Sequence, residues 1–122
     1  MGIPKIVILE DNPERMKSFN RKLIGRATVI SFDNVEDFSS YIEENKEKID
    51  MFFLDHDLGG MIYVPSENHN TGYQAALKIV EVYGEDYPEI IIHSMNNVGA
   101  DNMHSILKKA DKLPFPTLIR GL

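Results

Sequence analysis

Two carboxylates and an imidazole, Asp55-His56-Asp57, stand at the end of the apolar run Phe52-Phe53-Leu54 and lead into Leu58-Gly59-Gly60. Apolar residues first and titratable residues at the exit are how a buried parallel strand presents chemistry at its carboxyl end. Two further runs have the same form: Lys5-Ile6-Val7-Ile8-Leu9 ends in Glu10-Asp11, and Ile90-Ile91-Ile92 ends in His93-Ser94. On one rim, Glu10, Asp11, Asp55 and Asp57 would repel one another unless a divalent cation sat among them or some stayed protonated. These four are the candidate metal ligands; the alternative is that strand-end acids only cap helices or solvate loops. The chain has no cysteine, so disulfides, thiolate nucleophiles and thiolate ligands are excluded. Any metal is then held by oxygen and imidazole, which points to magnesium, manganese or zinc.

His56 lies between two aspartates, whose field favours the charged ring and suits it to general acid work near neutrality. His93 replaces what a core would fill with an aliphatic. Neighbouring strands run about 4.8 Å apart, so His56 and His93 are expected to flank one small reacting group beside Asp55. Such a pair suits phosphodiester chemistry, one imidazole deprotonating a nucleophile and the other protonating the departing oxygen. Ser94 is a candidate contact to a phosphoryl oxygen, or else a hydroxyl satisfied by the following turn. Asn96 and Asn97 read as turn or cap residues, with Asn96 also a candidate ligand contact. Thr71 opens a helix, whose unpaired amides attract anions, and is counted with Ser94 and Asn96 as substrate-binding.

The elements that must position these groups are legible in order. After the first strand, Asn12 caps a helix with Pro13 at its first position and Met16, Phe19, Leu23 and Ile24 at helical spacing, stopped by Gly25. Thr28 to Phe32 is a second strand. Asp33 or Asn34 caps a helix that places Val35, Phe38, Ile42 and Ile49 on one face. Met51 to Leu54 is the third strand. Thr71-Gly72-Tyr73-Gln74 has the form of a capping box, with Tyr73, Ala76, Leu77 and Val80 as the buried stripe. Glu89 to Ser94 is the fourth strand, and a fourth helix turns Ala100, Met103 and Leu107 inward, ending near Ala110. Lys112 to Arg120, with its prolines, is expected to supply at most a short edge strand and no fifth helix. Strands alternating with helices imply right-handed crossovers: a single domain over residues 1–122, a doubly wound, flavodoxin-like three-layer α/β fold with strand order 2-1-3-4-5.

The connection from Leu58 to Thr71 is long for such a unit, and long loops are commonly lids or binding loops. It starts flexibly at Gly59-Gly60, carries Tyr63, Glu67, His69 and Asn70, and is expected to form a mobile cover over the rim. His69 is expected in solvent, and His104, inside the fourth helix, in a structural or exposed role.

With 122 residues, 43% of them hydrophobic, the chain supports one core. No apolar run approaches a membrane span and the amino terminus has no signal-peptide pattern, so a soluble, cytoplasmic protein is expected, with no membrane partner. A net charge of -6 argues against a duplex DNA footprint and leaves a small phosphorylated ligand or an RNA end.

Val7-Ile8-Leu9-Glu10-Asp11 and Phe53-Leu54-Asp55 resemble the acidic pair and phosphoacceptor strand of response-regulator receiver domains. That resemblance implies magnesium on Glu10 and Asp11 and a phosphorylatable Asp55. The receiver lysine after the fifth strand has no clear counterpart beyond Lys112 or Arg120. Leu54-Asp55-His56-Asp57-Leu58-Gly59-Gly60, Thr71-Gly72-Tyr73 and Ile92-His93-Ser94-Met95-Asn96 resemble the cyclic-phosphate-processing receiver-like family. This implies a free-standing phosphoesterase on cyclic phosphate ends, such as 2',3'-cyclic phosphates of nucleotides or RNA. The alternative is a signalling or ligand-binding receiver, phosphorylated on Asp55 or non-catalytic.

Overall fold

A computed structural model describes residues 2–58 and 65–122 of the chain. The expected Gly59-Gly60 hinge and Tyr63 fall outside the described residues. Strands β1 (Lys5–Leu9), β2 (Thr28–Phe32), β3 (Met51–Leu54), β4 (Glu89–Ile92) and β5 (Asp111–Lys112) form one sheet in the order β2-β1-β3-β4-β5, every pair parallel. Helices α1 (Pro13–Leu23), α2 (Val35–Asn45), α3 (Gly72–Tyr83), α4 (Asn97–Ile106) and α5 (Phe115–Gly121) cover it. The fold is thus the flavodoxin-like doubly wound sheet expected from the alternation of runs.

The pleat divides the core in two. Val7, Leu9, Phe52, Leu54, Ile90 and Ile92 pack under α2, α3 and α4. Ile6, Ile8, Phe53 and Ile91 pack with Phe19 and Leu23 of α1 and Leu118 of α5. On the second face Phe19 is fully buried and stacks on Phe53 at 5.2 Å between centroids. Truncating such a side chain to alanine costs about 3–5 kcal/mol.

Three details depart from expectation. The tail does form a fifth helix: Pro114 and Pro116, taken as strand breakers, stand at its start, where a missing amide hydrogen costs nothing, and Leu118 anchors it. In α3 the buried stripe is Gly72, Ala75, Ala76 and Ile79, while Leu77 is exposed and Tyr73 and Val80 only half-buried. The helix starts so close to the sheet that its first buried positions are Gly72, Ala75 and Ala76, and Ile79 fills the wider space further along. Its capping box is not made, because Thr71 donates to the carbonyls of Ser66 and Asn68 and Gln74 donates to that of Ser66. Ile49 is buried as expected, but beyond α2, after the single 3-10 turn Lys46–Lys48.

Among the described residues the closest approach at a glycine is at Gly72, where an added Cβ would lie 2.1 Å from the carbonyl oxygen of Asp55 and 2.8 Å from Cε of Met103. Gly72→Ala must therefore push α3 off the exit of β3. A loss of about 3 kcal/mol is expected by urea denaturation; a change below about 0.5 kcal/mol would refute this packing.

Candidate functional site: a carboxylate rim with a buried charge network

The hydrogen-bond ladder runs one residue past each strand, with the amides of Glu10, Asp55 and His93 donating to Phe32, Leu9 and Leu54. The backbone at these exits is therefore as fixed as the sheet. Alternation then sends Glu10, Asp55 and His93 to the α1/α5 face, in phase with Ile8, Phe53 and Ile91.

Ligand atoms of Glu10, Asp11 and Asp55 all lie within 4.8 Å of one another, with Glu10 and Asp55 buried and Asp11 half-buried. Arg15, on the first turn of α1, binds this group. Its Nε and Nη2 donate to the two oxygens of Glu10 at 2.8 and 2.9 Å, and Nη2 reaches Asp55 Oδ2 at 3.3 Å. Asn12 caps α1 through a bond from the Arg15 amide, which sets where that guanidinium starts.

Glu10 takes two more bonds, from the Asn12 amide at 3.0 Å and from Nε2 of His93 at 2.9 Å. Burial alone would raise its carboxyl, but the bonds from His93 and Arg15 outweigh that and hold it down at about 2. Asp55 goes the other way. Burial pushes its carboxyl up to about 6; the His93 charge pulls down, the Glu10 charge pushes up, and Arg15 and the His56 amide only partly compensate. Arg15 is itself raised: burial lowers it, and the bond and charge of Glu10 more than reverse this.

His93 is buried against Phe19 and Phe115, and its Nδ1 has no hydrogen-bond partner among the described residues. A ring so placed orients Glu10 from beneath and has no open path to a ligand.

His56 lies on the other face. Its Nδ1 meets Asp57 Oδ1 at 2.8 Å and its Nε2 meets Ser66 Oγ at 2.9 Å. Gly99 of α4 lets the ring in, since a Cβ there would lie 2.4 Å from His56 Cγ. The two imidazoles therefore do not flank one reacting group: strand spacing put them close, but successive positions on a pleat put them on opposite faces. Asp57 likewise does not join the acidic cluster, because its carboxylate takes His56 and the Asn96 side-chain amide at 3.0 Å.

Asn96 caps α4 through a bond from the Gly99 amide, and Ser94 Oγ accepts from the Asn96 amide, the turn role rather than a ligand role. Thr71 is buried and bonded to the loop carbonyls. These three expected substrate contacts thus serve the turn and loop on the α4 side. Lys112 pairs with Asp101 at 2.6 Å and Arg120 lies exposed on α5, so the cation that reaches Asp55 is Arg15. It was legible only as a residue one turn beyond Asp11. His69 is exposed and His104 half-buried. The described end of the loop is tied down, with the Asn70 side chain accepting from the Val35 amide at 2.9 Å. A cavity of about 340 Å³ opens beside Glu10 and Asp11, lined also by Asp33, Asn34 and Asp37.

A receiver domain from Clostridium thermocellum shares this fold at 16% identity, TM-score 0.72, covering 97% of this chain and 86% of that one. The receiver domain of a Saccharomyces cerevisiae response regulator, crystallised with a histidine phosphotransfer protein, aligns at 14% identity and TM-score 0.71, with coverage of 98% and 83%. The receiver domain of a histidine kinase from Arabidopsis thaliana, complexed with Mg2+ and BeF3-, aligns at 19% and 0.65, with coverage of 96% and 85%. At these identities the likeness establishes the fold. No curated protein matches the chain. The family model for the cyclic-phosphate processing receiver domain matches residues 5–109. With that match spanning most of its length, the chain belongs to the cyclic-phosphate processing receiver domain family.

Proposed function

We propose that this protein is a metal-assisted phosphoesterase that opens cyclic phosphodiesters, such as 2',3'-cyclic phosphates of nucleotides or RNA ends, at the carboxylate rim. The observation that carries this reading is the convergence of Glu10, Asp11 and Asp55 with Arg15 standing over them. The donor set fits a hard divalent cation. It is all oxygen, and Asp55, ionised only above about 6, is short of positive charge. Since His93 is spent on Glu10, magnesium or manganese suits the set better than zinc. Glu10, Asp11 and Asp55 would hold the cation, whose charge would polarise the phosphoryl group and lower the pKa of bound water.

The chain's own residues do the rest. Arg15, 29% exposed in its side chain, is the donor at the mouth: with Nε and Nη2 spent on the acids, Nη1 is the group that can meet a phosphoryl oxygen. Asp55 has one oxygen fixed by the His56 amide at 2.8 Å, and of the rim groups its proton affinity best suits a general base near neutrality. His93 is a positioning residue that holds Glu10. His56, turned to the other face, has no role at this rim beyond its amide.

A second reading is phosphoacceptance on Asp55, favoured by the likeness to receivers crystallised with a phosphotransfer partner and with Mg2+ and BeF3-. Acetyl phosphate with magnesium separates the two: a mass gain lost in Asp55→Asn supports it.

For the phosphoesterase, a 2',3'-cyclic nucleotide with magnesium or manganese should yield a monophosphate, and EDTA or Asp11→Asn should remove the turnover. His93→Ala should cost about 10–100-fold. No product with any divalent metal would sink the proposal.

Asp55 also sets a pH signature. Its unfolded value is near 3.8 and its folded value about 6, so between them the native state holds more protons and stability falls as pH rises through that window. Asp55→Asn, free of this penalty, should exceed the parent in EDTA at pH 8 by on the order of 2–3 kcal/mol, with the gap closing near pH 4. Urea titrations showing a pH-independent difference would refute it.

A further inference from the structure

The network on the opposite face has the geometry of an activated serine. Asp57 Oδ1, His56 Nδ1, His56 Nε2 and Ser66 Oγ form a relay with links of 2.8 and 2.9 Å. Its proton arrangement follows from Asp57: a carboxylate can only accept, so the ring hydrogen stands on Nδ1. Nε2 then accepts from the Ser66 hydroxyl, whose oxygen accepts from the Asn102 side-chain amide at 2.9 Å. That is the tautomer a general base requires.

The ring is fully buried and clamped by Gly99, and Asn96 donates to Asp57 at 3.0 Å, so the aspartate is oriented in turn. Ser66 is half-buried and opens into a cavity of about 370 Å³ lined among the described residues by Glu67, Tyr73, Gln74, Asn102 and Ser105. Among the described residues no cation lines this cavity, so it suits a neutral carbonyl compound and not a phosphate.

We propose that Ser66 is the nucleophile of a second catalytic site, separate from the carboxylate rim, that hydrolyses small neutral carboxylic esters. Ser66 Oγ bonds to the ester carbonyl carbon as its proton passes to His56 Nε2. The carbon–oxygen ester bond then breaks, and the alcohol leaves with that proton. Water attacks the acyl-serine, giving its proton to His56; the carboxylic acid departs and Ser66 recovers its hydrogen. The net change is ester plus water to acid plus alcohol. Asn102 and Gln74 each spend one amide hydrogen, on Ser66 Oγ at 2.9 Å and on the Ser66 carbonyl at 3.0 Å, and each has a second with which to meet a developing oxyanion. Asp57 is a positioning residue acting through His56. The inference does not depend on the phosphoesterase reading.

The test is an alkyl fluorophosphonate, whose phosphorus–fluorine bond is exchanged for a bond to an activated serine, followed by intact mass and peptide mapping. One adduct on Ser66 is expected, with labelling at least about 100-fold faster than in urea-unfolded protein. Para-nitrophenyl acetate should show a burst of nitrophenolate equal to the enzyme concentration. Ser66→Ala should lose both signals while keeping its circular dichroism spectrum, and Asp57→Asn should slow labelling without removing the site. An unlabelled parent, or an adduct on another residue, overturns the proposal without recourse to any variant. So does equal labelling of Ser66 in folded and unfolded protein.

Discussion

The organisation of this molecule depends on what the pleat does at the exit of β3. Leu54 faces α2, α3 and α4, Asp55 faces α1 and α5, and His56 faces back again; ladder bonds hold Leu54 and Asp55, and the Gly72 amide holds the His56 carbonyl. A one-residue slip would exchange the carboxylate and the imidazole between faces, so the register that seals the core also assigns the chemistry. Asp55 joins a cluster of acids with one arginine, and His56 joins a relay of neutral donors and one acid. These are different electrostatic environments less than one strand apart.

On the acid side, charge balance decides the geometry. Two buried carboxylates near each other are unfavourable, and the fold answers asymmetrically. Glu10 receives four donors and stays ionised to about pH 2, whereas Asp55 is left with fewer and rises to about 6. Arg15 spends both of its shorter bonds on Glu10 and reaches Asp55 only at 3.3 Å. The deficit at Asp55 is thus built in, and a cation or a proton is what it attracts. A histidine walled by Phe19 and Phe115 serves this asymmetry by fixing Glu10.

Much of this was readable in the residues. Continuous β-branched runs that end in polar residues located the sheet, its order and the rim, because burial on both faces leaves few alternatives for such strands. Asn12 and Pro13 marked α1 by capping chemistry alone. The faces of the exit residues were harder. Strand spacing suggested that His56 and His93 meet, and only the odd and even positions along two paired strands show that they cannot. Pro114 and Pro116 carried two meanings, strand breaker and helix starter, and the apolar contact of Leu118 with the α1 face selected the second. Arg15 was hidden among ordinary helix charges, since nothing local says that a first-turn guanidinium turns toward Asp55. Ser66 lay in a loop with no periodicity, where partners are set by tertiary contact.

Two glycines explain how the second face can be built so tightly. Gly72 lets the start of α3 rest on the Asp55 carbonyl, and Gly99 lets the start of α4 rest on the His56 ring. Together they clamp consecutive residues of one exit, and this clamp has a consequence for both centres. The His56 amide holds one oxygen of Asp55 while the His56 ring is held by Asp57 and Ser66. Backbone and side chain of a single residue thereby serve opposite faces. Gly99 leaves the ring no room to turn away from Asp57 and Ser66. A residue shared in this way makes a partition: its amide belongs to the acid cluster around Asp55, and its ring to the relay of Asp57 and Ser66.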